Sequence, residues 1–216
     1  YGARPDLAGL STLKTADVKS LYEDLVASAP VSVLVIGNIA FEDVEPKLQQ
    51  LLEGVGAPGE RPERVPFTPP SDQRVLAIDL PGNPQTRIAL RMQAPLYGDS
   101  ERLAAEAVNY ALGGHFLSRL NINLREEKGF TYGARSSYFG DHMRGNWQIG
   151  VDVAVENTAA SVVEIQRELE RLVNEGVTEA EITMAINSYT AEWNNTMETA
   201  SSASYGYTER FLEDLT

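Results

Sequence analysis

The sequence predicts an α+β fold in which an antiparallel or mixed β-sheet carries helices packed on one face. Three observations support this prediction. From residue 74 onward, strand and helix patterns follow one another in the order β-β-α-α-β-β-α-α. Residues 145–155 alternate apolar with polar side chains, which is typical of a strand with one buried face. Glycine and proline crowd residues 54–72, so the chain divides into a small unit and a larger one.

The small N-terminal unit shows a helix-strand-helix pattern. Thr15 is a candidate N-cap, and the apolar residues that follow it recur at helical spacing. Residues 31–36 are apolar and rich in β-branched side chains, which predicts a strand that ends at Gly37. A second amphipathic helix is predicted over residues 41–52.

The composition divides the chain into three segments. Residues 1–54 hold the helix-strand-helix unit, and residues 55–73 form a linker rich in proline and glycine. Neither a helix nor a central strand tolerates so many prolines, so we expect an extended linker. Residues 74–216 form the larger domain.

The larger domain begins with a predicted hairpin and a helix. Strands are predicted at residues 74–80 and 86–94, and the proline, glycine and asparagine between them favour a turn. Asp99 or Ser100 caps the helix that follows. That helix has an apolar face and is stopped by two consecutive glycines.

A short helix, two strands and two long helices complete the pattern. The short helix carries apolar residues over 116–124, and the chain reverses at Gly129. Strands are predicted at residues 130–138 and 145–155. Thr178-Glu179-Ala180-Glu181 has the spacing of a capping box, which predicts the start of the second long helix.

The composition excludes several classes of function. With 31 acidic against 18 basic residues the net charge is -13, so the surface would repel nucleic acid. No apolar run is long enough for membrane insertion, and the absence of cysteine excludes thiolate catalysis and thiolate metal sites. The chain opens at Tyr1 with neither Met nor a signal-peptide profile, so we expect an excised piece of a longer protein.

The small number of histidines limits the chemistry further. The chain contains only His115 and His142, and neither of the zinc-peptidase motifs H-E-x-x-H and H-x-x-E-H occurs. No carboxylate or second imidazole stands at ligand spacing from either residue. We expect no metal ligand in this chain, with His115 at a helix start and His142 at a hairpin tip. A G-x-S-x-G nucleophile motif and a P-loop are also absent.

A basic residue and a phenol flank the predicted helix-strand corner. Arg125 is predicted in the last turn of the short helix, and Tyr132 near the start of the next strand. Brought together, the guanidinium and the phenol could hold a peptide carbonyl or stabilise the oxyanion that forms on it. Alternatively, Arg125 pairs with a helix-end carbonyl and Tyr132 packs half-buried. Spacing alone leaves both interpretations open.

The stretch around this pair resembles the S-R-L and L-R-E-x-x-G-x-x-Y motifs of the pitrilysin family, which includes insulin-degrading enzyme and the mitochondrial processing peptidases. The matching positions are Ser118, Arg119, Leu120, Leu124, Arg125, Glu126, Gly129 and Tyr132. Leu112-Gly113-Gly114 and two N-terminal stretches, Leu13-Lys14-Thr15-Ala16-Asp17-Val18 and Val35-Ile36-Gly37-Asn38, also resemble the family. The resemblance therefore extends over most of the chain.

The resemblance implies two similar α+β halves that close around an extended peptide. One half carries H-x-x-E-H and a distal glutamate as zinc ligands, and the other carries the Arg/Tyr pair. This chain would be the second, non-catalytic half, in which Arg125 and Tyr132 bind the substrate and orient its scissile carbonyl. It would bind no cofactor itself, because zinc is expected in a partner half or subunit. The parent protein or complex would be a zinc metalloendopeptidase that acts on peptides.

The resemblance also changes the meaning of the domain boundaries. It implies that residues 1–54 are the tail of the preceding half, and that residues 74–216 are an inactive peptidase domain truncated at its C-terminus. We hypothesise that the N-terminal unit packs against the sheet in place of the missing segment, within the chain or between two chains. A structure in which residues 31–36 join no sheet would contradict that hypothesis.

Two other functions stay open. The chain could belong to a family member that has lost catalysis and acts as a peptide-binding or assembly scaffold, as some respiratory-complex core subunits do. It could also be an unrelated α+β binding domain with a coincidental motif. An H-x-x-E-H motif in the same polypeptide or in an adjacent gene would support the peptidase. Resemblance to short bacterial members and the lack of cysteine fit a periplasmic or exported protein, while a cytoplasmic or organellar origin stays open.

Overall fold

The computed structural model contains two compact units, Tyr1–Arg64 and Val65–Thr216. It describes residues 7–28, 31–53, 74–140 and 144–212. The predicted linker at residues 55–73 lies outside the described residues, so the predicted domain limits stay predictions.

The first unit is helical in its described part. Its helices are α1 (Leu7–Thr12), α2 (Thr15–Ser28) and α3 (Phe41–Leu52). Helix α2 begins at Thr15, the residue predicted to be its N-cap, and α3 has the predicted span. No residue of α3 is buried.

The second unit is built on an antiparallel sheet. Its strands are β1 (Gln85–Ala94), β2 (Ala134–Gly140) and β3 (Gly145–Ala154). They lie in the order β1-β3-β2, so the longest pairing is between the first strand and the last. Neighbouring cross-strand pairs lie on opposite faces of the sheet. Ile88 is paired with Val151 on one face, and Arg87 is paired with Asp152 on the other.

Helices fill the rest of the second unit. They are α4 (Arg102–Asn109), α5 (Arg119–Asn121), α6 (Thr158–Glu175), α7 (Glu179–Thr196) and α8 (Ala200–Leu212). Two of them continue into π-helical turns: α4 into Tyr110–Gly114, and α5 into Ile122–Glu127. The predicted capping box is present at the start of α7, where Thr178 and Glu181 each accept a backbone N–H from the other. None of the described helices is long and apolar enough to cross a membrane.

The core lies between one face of the sheet and the helices. Its fully buried aliphatic side chains are Leu112, Leu120, Leu124, Ile149, Val151, Val153 and Ile165. Burial of one such side chain contributes roughly 1.5–3 kcal/mol to stability. Because helical leucines and strand valines meet on the same side of the sheet, the predicted α+β class with helices on one face is confirmed.

Two predicted strands do not form. Residues 31–36 and 74–80 have no strand assignment, and the only sheet in the described part of the chain consists of β1, β3 and β2. The turn after residue 80 is present, since Asn83 N–H donates to the Leu80 carbonyl at 3.1 Å. A strand is stabilised by its ladder of bonds to a neighbour, and neither segment has one here. Residues 31–36 therefore join no sheet in the described part of the chain, the outcome that counts against the hypothesis for the N-terminal unit.

Candidate functional site

Arg125 and Tyr132 lie side by side. Arg125 belongs to the π-helical turn after α5, and Tyr132 lies in the loop that leads into β2. The Cζ atom of Arg125 is 5.0 Å from the centroid of the Tyr132 ring, which is a cation–π distance. The structure thus brings the predicted pair together, while its role in peptide binding stays a prediction.

The polar end of Tyr132 is open to solvent. The residue is 89% exposed, and no described residue hydrogen-bonds its hydroxyl. The Arg125 side chain is 28% exposed, and its Nε lies 3.2 Å from a carboxylate oxygen of Glu126. The alternative in which Tyr132 packs half-buried is therefore wrong. Nor does any carbonyl of the described residues accept from the Arg125 guanidinium.

Phe116 is a third member of the site that the sequence did not predict. Its ring centroid is 4.5 Å from the Cζ atom of Arg125, closer than that of Tyr132. The Phe116 side chain is 58% exposed, so an apolar ring and a cation are presented together at the surface. A guanidinium that stacks on aromatic rings keeps its N–H groups available for an acceptor in its own plane.

The corner that carries the pair depends on one glycine. Gly129 has φ of +67°, a left-handed conformation that most side chains disfavour. Its N–H donates to the Arg125 carbonyl at 3.1 Å, and the Phe130 N–H donates to the Leu124 carbonyl at 2.8 Å. The first bond has the 5→1 pattern of an αL cap, and the two together close the helix end. Strand β2 starts at Ala134 and not at residue 130 as predicted.

Asn121 fixes both sides of the corner. Its Nδ2 donates to the Phe116 carbonyl at 2.7 Å, and its Oδ1 accepts from the Ala134 N–H at 3.1 Å. Asn121 is 4% exposed. One buried amide therefore links the segment that carries Phe116 to the first residue of β2.

Arg119 of the S-R-L motif has a structural role. Its side chain is only 6% exposed, and it donates two bonds to the Glu181 carboxylate, at 2.6 and 2.7 Å. A third bond reaches the Gly176 carbonyl at 2.8 Å. The hydrogen bonds from Arg119 lower the pKa of Glu181 to about 2. This clamp joins α5 to the start of α7, which lies about sixty residues later in the chain.

A second buried polar contact holds the π-helical turn against α6. The Asn123 Nδ2 donates to Glu164 at 3.1 Å and to Glu168 at 2.8 Å. Lys128 Nζ lies 3.6 Å from the same Glu164 carboxylate. Together with the Arg119 clamp, these contacts fix the backbone from which Arg125 projects.

Gly113 explains why small residues precede the corner. A Cβ atom at this position would lie 2.3 Å from the Ser136 backbone nitrogen, so only glycine lets the helix end approach β2 so closely. Beside it, Asn109 Oδ1 accepts from the Ser136 hydroxyl at 2.8 Å and from the Trp147 indole at 2.9 Å.

The described residues do not form a metal site. No group of three or more histidine, aspartate or glutamate side chains in the described part of the chain could hold a metal ion. His115 Nδ1 accepts from the Leu117 N–H at 2.9 Å, and burial lowers the pKa of the imidazole, an effect that Glu181 partly opposes. His142 lies outside the described residues. The residues that the structure describes therefore include no set of side chains that could bind zinc.

A cavity of about 710 Å³ lies between α4 and α7, away from the predicted site. Its aromatic lining includes Tyr97, Tyr138, Tyr189 and Trp193. Two charged residues of the lining, Arg102 and Glu106, form an ion pair with one another. Neither Arg125 nor Tyr132 contributes to this lining.

A family model described as the peptidase M16 inactive domain matches residues 12–189 of the chain. The match includes the corner with Arg125 and Tyr132, the clamp at Arg119 and the sheet. No curated protein sequence gives a significant match.

Solved structures share the fold over nearly the whole chain. A protease from Helicobacter pylori superposes with a TM-score of 0.84 at 18% identity, over 97% of this chain and 52% of that one. A peptidase M16 inactive domain from Pseudomonas fluorescens gives 0.81 at 20% identity, over 98% and 50%. The periplasmic protease PqqL from Escherichia coli gives 0.63 at 16% identity, over 82% and 20%. The chain thus spans about half the length of the first two proteins.

Proposed function

Because the chain belongs to the family of peptidase M16 inactive domains, we propose that it serves as the non-catalytic half of a zinc metallopeptidase. In this proposal, Arg125 and Tyr132 bind an extended peptide and orient its scissile carbonyl. The zinc ion that cleaves the peptide is carried by another domain or by a separate subunit.

The proposal depends on the contacts of two hydrogen-bond donors, the Arg125 guanidinium and the Tyr132 hydroxyl. The Tyr132 hydroxyl is unpartnered among the described residues, and the permanently charged guanidinium of Arg125 stacks beside its ring at 5.0 Å. Apart from the contact between Arg125 Nε and Glu126, no described residue occupies these donors, so they stay available to an acceptor outside the chain. Two donors held at one surface corner suit an external acceptor such as a peptide carbonyl.

The partner and the location follow from the same proposal. The described residues offer no metal site, so the chain requires a zinc-bearing half, which could be another part of a longer polypeptide or a second subunit. An exported bacterial location is consistent with the periplasmic protease among the proteins that share this fold.

Peptide turnover by the reconstituted enzyme tests the proposal. The chain is combined with the H-x-x-E-H half, and kcat and KM are measured on a quenched fluorescent peptide. Loss of a donor to a developing oxyanion typically lowers kcat by roughly 10²–10³-fold, so we expect Arg125→Ala to approach this range and Tyr132→Phe to cost about tenfold. Zinc content and the melting temperature should not change.

Two exposed residues elsewhere provide matched controls. Arg167→Ala removes a surface guanidinium on α6, and Tyr205→Phe removes a phenol hydroxyl on α8 that is 72% exposed. Both should keep normal turnover. Full activity of Arg125→Ala and Tyr132→Phe would refute the proposal, whereas peptide binding without turnover in the zinc-loaded complex would favour the scaffold.

A further inference from the structure

The outer face of the sheet is exposed and carries three arginines. Side chains of the core face alternate along each strand with those of the outer face. Arg87 and Arg91 project outward from β1, and Arg135 projects outward from β2. All three residues are exposed.

Small residues occupy the centre of this face. In the register of the sheet, Gly150 of β3 lies between Ala89 on β1 and Arg135 on β2. A Cβ atom at Gly150 would lie 2.6 Å from Arg87 Nη2, so the absence of a side chain lets the Arg87 guanidinium lie across the sheet. The Arg87 guanidinium therefore lies over the small residues at the centre of this face.

The charge of the face is opposite to that of the chain. Only Arg87 has an acidic partner, since its Nη1 lies 2.6 Å from Asp152 Oδ2. Arg91 and Arg135 form no ion pair with any described residue. A chain with a net charge of -13 thus presents two uncompensated cations on one sheet face, and such a face complements an acidic ligand.

The loop that carries Tyr132 is bonded to the strand that forms the centre of the basic face. The Thr131 hydroxyl donates to the Asp152 carbonyl at 2.7 Å, which ties the loop before β2 to the end of β3. Arg87 pairs with the side chain of the same aspartate. The loop of Tyr132 and the ion pair of Arg87 are thus both attached to Asp152 at the end of β3.

We propose that this basic face, made of Arg87, Arg91 and Arg135 around Gly150, selects extended peptides that carry acidic side chains. The inference rests on the proposed function, because it names the substrate class of the site at Arg125 and Tyr132. In an extended peptide every second side chain points the same way, so alternate glutamates would all face the arginines.

Fluorescence anisotropy with the whole 216-residue chain tests the inference. The probes are three fluorescein-labelled peptides of equal length, with glutamate, serine or lysine at alternate positions. We expect the glutamate peptide to bind tightest at low salt and to lose this advantage as salt is raised. Because exposed ion pairs are individually weak, Arg91→Gln with Arg135→Gln should weaken glutamate-peptide binding about threefold to tenfold. Binding of the serine peptide should not change.

A control variant makes the same change of charge elsewhere. Arg167→Gln with Arg171→Gln removes two arginines from α6 and should leave the order of affinities intact. Equal affinity for the three peptides, or an equal loss in this control, would overturn the inference. Arg125→Ala separates the two proposals. If Arg125→Ala leaves all binding unchanged while Arg91→Gln with Arg135→Gln selectively weakens the glutamate peptide, the basic face is supported and peptide binding by the Arg125 corner is refuted.

Discussion

Breaking the Arg119–Glu181 clamp should destabilise the second unit, although neither residue belongs to the predicted Arg125 and Tyr132 pair. Arg119→Met keeps the length of the side chain and removes its charge. Glu181→Gln keeps the shape of the carboxylate and one acceptor for the helix cap. The double variant completes a thermodynamic cycle that isolates the interaction between the two residues.

The expected magnitudes follow from burial. Glu181→Gln leaves a guanidinium that is 6% exposed without its counter-charge, and breaking a buried pair costs about 3–5 kcal/mol. Arg119→Met leaves a carboxylate that is 19% exposed and still accepts from Thr178, so we expect about 2 kcal/mol. The double variant should cost less than the sum, with a coupling energy of about 1–3 kcal/mol.

Urea unfolding of the four proteins measures these free energies. For a unit of this size, each kcal/mol should also lower the melting temperature by about 2–4 °C. The wild type owes part of its stability to an ionised Glu181 whose pKa lies near 2, below its ordinary value of 4.5. That contribution is complete above pH 4.5 and is lost as the pH falls towards 2. The difference between the wild type and Glu181→Gln should therefore narrow over this interval.

Additive losses would refute the reasoning. If the coupling energy is below about 0.5 kcal/mol, the two residues act independently, and the bonds at 2.6 and 2.7 Å contribute no specific stability. A difference between wild type and Glu181→Gln that stays constant from pH 7 to pH 2 would contradict the lowered pKa.

Three further variants test other parts of the structure. Gly113→Ala should destabilise by roughly 3 kcal/mol in urea unfolding because its Cβ meets backbone, whereas Gly98→Ala, which has open space around it, should be nearly neutral. Gly129→Ala should cost about 1–2 kcal/mol through its positive φ alone. Phe116→Ala should raise KM of the reconstituted enzyme because it removes the ring that stacks on the Arg125 guanidinium. The control Leu117→Ala, at a side chain that is 59% exposed, should leave KM unchanged. An equal effect of both variants would contradict the stacking role.

The sequence predicted the elements whose signals are local. The capping box at Thr178, the glycine reversal at Gly129 and the alternation of β3 each need only a few neighbouring residues, and all three are present in the structure. The corner with Arg125 and Tyr132 could be located for the same reason, since helix, turn and strand follow one another directly.

Features that depend on distant residues could not be predicted. The strands expected at residues 31–36 and 74–80 have the right composition, but a strand also needs a neighbour, which composition does not reveal. Phe116 lies in a segment whose carbonyl the buried Asn121 amide binds, and no periodicity marks its contact with Arg125.

A crystal structure of the reconstituted complex with a bound peptide, prepared without zinc so that the peptide stays intact, tests the central claim most directly. We predict that one peptide carbonyl oxygen lies about 2.7–3.2 Å from both an Arg125 guanidinium nitrogen and the Tyr132 hydroxyl, which is hydrogen-bonding distance. A peptide bound in the complex with neither residue in contact with its backbone would contradict the claim.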